Sequence, residues 1–164
     1  MDKRIAITGH RPNKLGNDYE LKSPLVKWIR TEILQILETE KPTQLISGMA
    51  LGIDTLFALI GLELQIPVLA AIPCDNQDRM WPAASKQLYH MILQNPLVTT
   101  HVVSPGPYAI WKMQKRNEWM VDNCNILIGV WDGTSGGTAN CVKYASEKGR
   151  FMIRIDPNDF DSNG

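Results

Sequence analysis

The chain has 164 residues, of which 44% are hydrophobic and 21% charged, and its 17 acidic side chains balance its 17 basic ones. This suits one globular unit able to bury a core without disulfides, and excludes disordered and fibrous classes. A net charge of zero withholds the basic excess expected of a protein built mainly to hold DNA or RNA, so nucleic acid is not expected as a partner.

Residues 4–8 form a short apolar run that ends at Gly9-His10-Arg11-Pro12, the pattern of a buried strand entering a loop. Ser23 as N-cap and Pro24 at the first helical position open a helix with apolar residues at 25, 28, 29, 33, 36 and 37, which stops before Pro42. Residues 43–47 make a second strand, and a helix starting near Gly52 is apolar on nearly all sides, which predicts deep burial. Residues 67–72 are a continuous apolar strand of the kind found in parallel sheets covered on both faces. A helix follows Trp81-Pro82, then a strand over 97–103. Residues 108–124 read as a helix with Ile110, Met113, Asn117, Met120 and Cys124 on one stripe. A strand over 126–131, a loop over 132–138, a helix over 139–148 capped by Gly149 and a last strand over 151–155 complete the order. Strands alternating with helices predict an α/β fold, a Rossmann-like three-layer sandwich with a mainly parallel sheet, as one domain over 1–156 with a loose tail over 157–164.

In such a fold ligands bind beyond the carboxyl ends of the strands, so the loops carrying glycine after three strands should meet in one crevice. In the first, Gly9 is followed by His10, able to stack on or hydrogen-bond a base or ribose, and Arg11, able to fork onto phosphate. In the second, Ser47, Gly48, Met49 and Gly52 lie between strand and helix, where backbone N–H groups can face an anion, and Asp54 either complements the helix dipole or binds a ribose hydroxyl. In the third, Trp131 and Asp132 lead to Gly136, Gly137 and Thr138, a second cup for phosphate. Among Lys112, Lys115 and Arg116 a solvated face is the ordinary reading, with Arg116 kept as a candidate beside Asn117, whose amide on an apolar stripe needs a partner. His90 and His101 lack partners at metal-ligand spacing and read as structural, so no metal site is expected.

Cys74, Cys124 and Cys141 are scattered and odd in number, with no C-x-x-C, which predicts reduced thiols and a cytoplasmic location. No signal peptide or membrane span is expected. The combined reading is a protein that binds a small-molecule nucleotide without an intrinsic cofactor; whether it forms a homo-oligomer is left open.

Residues 46–54, Ile-Ser-Gly-Met-Ala-Leu-Gly-Ile-Asp, resemble the Ser-Gly-x-Ala-x-Gly-Ile-Asp segment of the DNA-processing protein A family. With Gly9-His10-Arg11-Pro12, residues 115–122 and Gly136-Gly137-Thr138, the chain is similar to the YpsA-like branch of the SLOG superfamily, which joins the SMF/DprA and Lonely-guy (LOG) families. The resemblance implies a Rossmann-like domain that binds a nucleotide or nucleotide-derived ligand at the glycine loops, as a sensor or binding protein. Two alternatives stand beside it. One is a phosphoribohydrolase-like hydrolase of nucleoside monophosphates using Asp54, Asp122 or Asp132, and the other is a DNA-associated interaction protein. Lonely-guy enzymes carry Pro-Gly-Gly-x-Gly-Thr-x-x-Glu, and the matching Glu falls here on Cys141, a thiol that is mostly protonated at neutral pH and a poor substitute for a carboxylate.

Overall fold

Which helices cover which face of the sheet follows from the alternation of side chains along the strands. The computed structural model describes residues 2–161. In β1 (Arg4–Gly9), Ile5 and Ile7 enter a core shared with α1 (Pro24–Glu40), α2 (Ile53–Glu63) and α3 (Ala83–Leu93). Ala6 enters a second, smaller core with Met120 and Val121 of α4 (Ile110–Asp122) and Cys141 and Ala145 of α5 (Gly137–Glu147).

The other strands are β2 (Gln44–Ser47), β3 (Val68–Ile72), β4 (Val98–Val102), β5 (Ile126–Val130) and β6 (Phe151–Ile155). They lie in the order β4-β3-β2-β1-β5-β6, and every pairing is parallel. Ile5 sits between Leu45 and Ile126, and Gly9 is level with Val130. The result is the expected Rossmann-like α/β sandwich. The chain steps outward from β1 to β4, then returns through α4 to lay β5 on the free side of β1, so the strand order reverses between β1 and β5. At that point the flanking loops diverge and leave a crevice.

Helix ends follow local chemistry. Ser23 Oγ accepts the Val26 N–H at 3.2 Å, Pro24 is the first residue of α1, and Lys41 closes the helix in a left-handed conformation ahead of Pro42. α5 begins at Gly137, two residues earlier than the sequence pattern suggests, and no side chain caps it. Ile110, expected on the apolar stripe of α4, is 79% exposed, because the first turn of α4 lies beside a cleft rather than over the sheet.

In the expected tail, Pro157–Asp159 forms a short 3-10 turn and the Phe160 ring stands 5.9 Å from Trp28; residues 162–164 lie outside the described residues. Among the described residues no helix is long and apolar enough to cross a membrane.

Candidate functional site

The turn after β2 satisfies its own polar groups. Ser47 Oγ donates to the Asp54 carbonyl at 2.7 Å and accepts the Met49 N–H at 3.1 Å. The Asp54 carboxylate accepts the Ala50 N–H at 3.3 Å, Thr55 Oγ1 donates to the Ala50 carbonyl at 2.8 Å, and the Ile53 N–H reaches the His10 carbonyl at 3.4 Å. The glycines here make room for protein. A Cβ on Gly48 would stand 2.4 Å from Arg116 Nη1, and one on Gly52, at φ +91°, would stand 2.7 Å from the His10 carbonyl oxygen.

Arg116 is buried, as is Lys112, against the expectation of a solvated face on α4. Both find carbonyl acceptors inside. Arg116 Nη1 donates to the Gly48 carbonyl at 2.6 Å and more distantly to Ala71, and its Nε donates to Asn117 Oδ1 at 3.2 Å. Lys112 Nζ donates to the carbonyls of Pro105 and Pro107 at 3.1 and 2.7 Å. Burial pushes the Asp54 carboxyl above its ordinary pKa while the nearby Arg116 guanidinium and the Ala50 N–H oppose the rise.

A cavity of about 360 Å³ opens between the loops after β1 and β5 and the start of α2. Of the residues singled out in the sequence it gathers Gly9, His10, Arg11, Asp54, Arg116, Asn117, Gly136, Gly137 and Thr138. Ser47, Gly48, Met49 and Gly52 do not line it; they build the turn on which Arg116 rests. Trp131 and Asp132 also stand outside the lining and brace the loop ahead of α5. Trp131 Nε1 donates to the Thr134 carbonyl at 2.7 Å, and the Arg154 guanidinium lies 4.9 Å over the Trp131 ring. Asp132 Oδ1 accepts from Thr134 Oγ1 at 2.6 Å and from its N–H at 3.0 Å, bonds that hold the carboxyl pKa down to about 2.

His10 Nε2 lies 3.1 Å from both the Asp132 N–H and Asp132 Oδ1. Burial lowers the His10 pKa below its ordinary 6.5, more than the adjacent Asp132 raises it. The neutral ring therefore accepts the Asp132 N–H, and a protonated ring would turn the same atom into a donor to the carboxylate.

The backbone at the start of α5 faces the cavity uncovered. A Cβ on Gly137 would meet nothing within 4 Å, and Gly136 has no side chain to offer the first-turn N–H groups. These N–H groups and the helix dipole suit an anion. Lys14, missed in the sequence, also lines the cavity and donates to Thr134 Oγ1 at 2.9 Å and the Ser135 carbonyl at 3.3 Å. Its signal in the sequence is its place two residues beyond the Gly9-His10-Arg11-Pro12 loop.

The carboxylates proposed for hydrolysis separate. Asp54 lines the cavity, Asp132 is held by Thr134, and Asp122 bonds to Tyr144 at the far end of α4. Cys141 is fully buried, which pushes its thiol up to about 12, so it is protonated at neutral pH. Among the described residues no group of His, Cys, Asp and Glu is placed to hold a metal ion. A larger cleft of about 900 Å³, which the sequence did not reveal, adjoins the cavity and shares Arg11, Asn13 and Met113 with it.

The sequence matches the family model described as DNA recombination-mediator protein A over residues 22–164. It is 28% identical to the SPbeta prophage-derived protein YoqJ of Bacillus subtilis (strain 168), in an alignment covering 84% of this chain and 93% of that protein. The fold is similar to DNA processing protein A from Streptococcus pneumoniae, with a TM-score of 0.64 at 24% identity, covering 94% of this chain and 50% of that one. It is also similar to DNA processing protein A from Helicobacter pylori, described for its single-stranded DNA binding mode, with a TM-score of 0.64 at 19% identity over 93% of this chain and 64% of that one. The chain thus spans half of the first protein and a little under two thirds of the second. These matches correct the expectation that nucleic acid is not a partner. The physical fault lies in averaging charge over the whole chain: the cavity lining carries Arg11, Lys14 and Arg116 against the single carboxylate of Asp54.

Proposed function

The chain belongs to the DNA recombination-mediator protein A family, and on that premise we propose that it binds single-stranded DNA, seating a backbone phosphate in the cavity at the start of α5. The observation that carries this reading is the lining itself, in which three cations and an uncapped helix N-terminus face one space of about 360 Å³. Arg11 and Lys14 are exposed and can follow a strand, whereas buried Arg116 gives the floor a fixed positive charge. A cytoplasmic location, where the three buried thiols stay reduced, belongs to the same proposal.

A second reading is a free nucleotide as the ligand. It is favoured by the size of the cavity, which suits one nucleoside monophosphate, and by the nearness of His10 and Asn117. Binding of a labelled oligothymidylate, followed by fluorescence anisotropy at rising salt, separates the two. Neutralising two to three phosphates gives a slope of log K against log salt of about −1.4 to −2.1, at roughly −0.7 per phosphate for a single strand. Lys14→Gln should make that slope shallower by about 0.7. Gly137→Asp places a carboxylate at the anion site in open space, so it should abolish binding while thermal unfolding stays unchanged. If nucleoside monophosphates bind by calorimetry and the oligonucleotide does not bind even at low salt, the second reading replaces the first.

A further inference from the structure

We propose that β4 is a docking edge for a second copy of this chain, which lays its own β4 antiparallel alongside, across a two-fold axis at Thr100, and joins two six-stranded sheets into one. This does not rest on the single-stranded DNA reading. β4 ends the sheet, and among the described residues β3 is its only strand neighbour. Two bonds set the direction of its backbone groups. The Val68 N–H donates to the Leu97 carbonyl at 3.0 Å, and the Val103 N–H donates to the Ile72 carbonyl at 2.8 Å. Along a strand the N–H and C=O of successive residues point to alternate sides, so residues 97, 99, 101 and 103 turn theirs to β3. Val98, Thr100 and Val102 therefore turn theirs away from the sheet. The Asn95 carbonyl takes the Val98 N–H at 2.9 Å, which leaves the N–H groups of Thr100 and Val102 and the carbonyls of Val98, Thr100 and Val102 along the outer edge.

The occupant is read from the edge itself. Strands that must not pair are blunted by charge, by proline, by a bulge or by a covering segment. β6, at the other end of the sheet, carries Arg154, whose guanidinium bonds to Asp156 and lies over the Trp131 ring. β4 reads Val-Thr-Thr-His-Val, without Lys, Arg, Asp, Glu or Pro, and its ladder runs unbroken from Val98 to Val102. Thr99, Thr100 and His101 are exposed. The strand also complements itself about Thr100. Antiparallel pairing there sets Thr100 against Thr100 and Val98 against Val102 as hydrogen-bonded pairs, so the outward N–H groups of Thr100 and Val102 meet the outward carbonyls of Thr100 and Val98. A slip of one residue would oppose outward groups to inward ones. A slip of two would set Val102 against Pro96, which has no N–H, or His101 against His101. On the other face of the strand His101 falls opposite Thr99 of the second copy, in the pairs where side chains come closest. There the His101 ring already stacks on Trp119 with centroids 4.7 Å apart, a flat wall for the threonine methyl. With no Lys, Arg, Asp or Glu in the strand, no carboxylate, ammonium or guanidinium of one β4 meets its like in the other.

The test uses the full chain. Light scattering over a concentration series should give a mass rising to about twice 18.5 kDa. Thr100→Pro removes the N–H at the axis without taking a bond from β3, so the mass should fall to 18.5 kDa while unfolding stays cooperative. Thr100→Lys keeps the backbone and sets like charges across the axis; it should also give a monomer, and it holds the test if the proline variant fails to fold. Thr100→Cys reads the register. Across the axis its two Cα atoms would lie about 5.5 Å apart, within disulfide range, so mild oxidation should yield a covalent dimer on a non-reducing gel. In Thr99→Cys the two copies of the residue are diagonal, roughly 7–8 Å apart, and should stay uncrosslinked. Wild type, whose three thiols are buried, is the blank. A mass of 18.5 kDa for wild type at every concentration, or a dimer that survives Thr100→Lys, would overturn the proposal. Crosslinking through position 99 rather than 100 would overturn the axis at Thr100 and the pairing built on it.

Discussion

The glycines of the Ser47–Gly52 turn look from the sequence like positions that let a ligand approach, yet Gly48 admits the guanidinium of Arg116, which lies 68 residues further along the chain. Spacing within one loop reports that something comes close to the backbone and does not report what. The charge on α4 reads as a solvated face because spacing does not show its acceptors: Lys112 bonds to the carbonyls of Pro105 and Pro107 in the loop just before the helix, and Arg116 to the Gly48 carbonyl far away in the sequence. The place of His10 in the crevice was legible, but its state was not, because that depends on burial and on Asp132. Its titration should have a midpoint below 6.5 by NMR, and Asp132→Asn should lower it further, because the carboxylate is the largest influence raising it. A wild-type midpoint above 6.5 would mean that the ring is protonated against Asp132 and does not accept its N–H.

Elements were legible wherever local chemistry decides them. Ser23-Pro24 announces α1, and the continuous apolar runs announce strands covered on both faces. The start of α5 was set two residues late because Gly136 and Gly137 weaken a helical pattern that tertiary contact nevertheless imposes. The cleft left no pattern at all, since its walls are joined by bonds between the loops after β3 and β4. The loop between β5 and α5 offers a test at this scale. Asp132 has its pKa depressed from 3.8 to about 2 by its bonds to Thr134, so its stabilisation is present above pH 3.8 and is lost as pH falls toward 2. Wild type should lose about 1–2 kcal/mol more than Asp132→Asn across that window in chemical denaturation, the partial exposure of the carboxylate reducing the effect. Parallel acid profiles for the two proteins would remove Asp132 as the brace of this loop.

At the scale of the molecule, the order of strands and helices carries the fold, and the fold then brings the loops after β1 and β5 together where the strand order reverses. Convergence of the first and third glycine loops follows from that rule, whereas the glycines of the second pack against Arg116 and the His10 backbone instead of lining the crevice. The local charge of the crevice could not be read, because 17 acidic and 17 basic residues cancel over the chain while Arg11, Lys14 and Arg116 line one cavity beside a single carboxylate. The central claim is that a strand phosphate sits on the N-terminus of α5 within reach of Lys14 and Arg11. A crystal structure of the chain with a short oligothymidylate tests it most directly. The account predicts a backbone phosphate within hydrogen-bond distance of the Gly137 and Thr138 N–H groups; a strand that leaves those groups uncontacted and follows another face of the protein would contradict it.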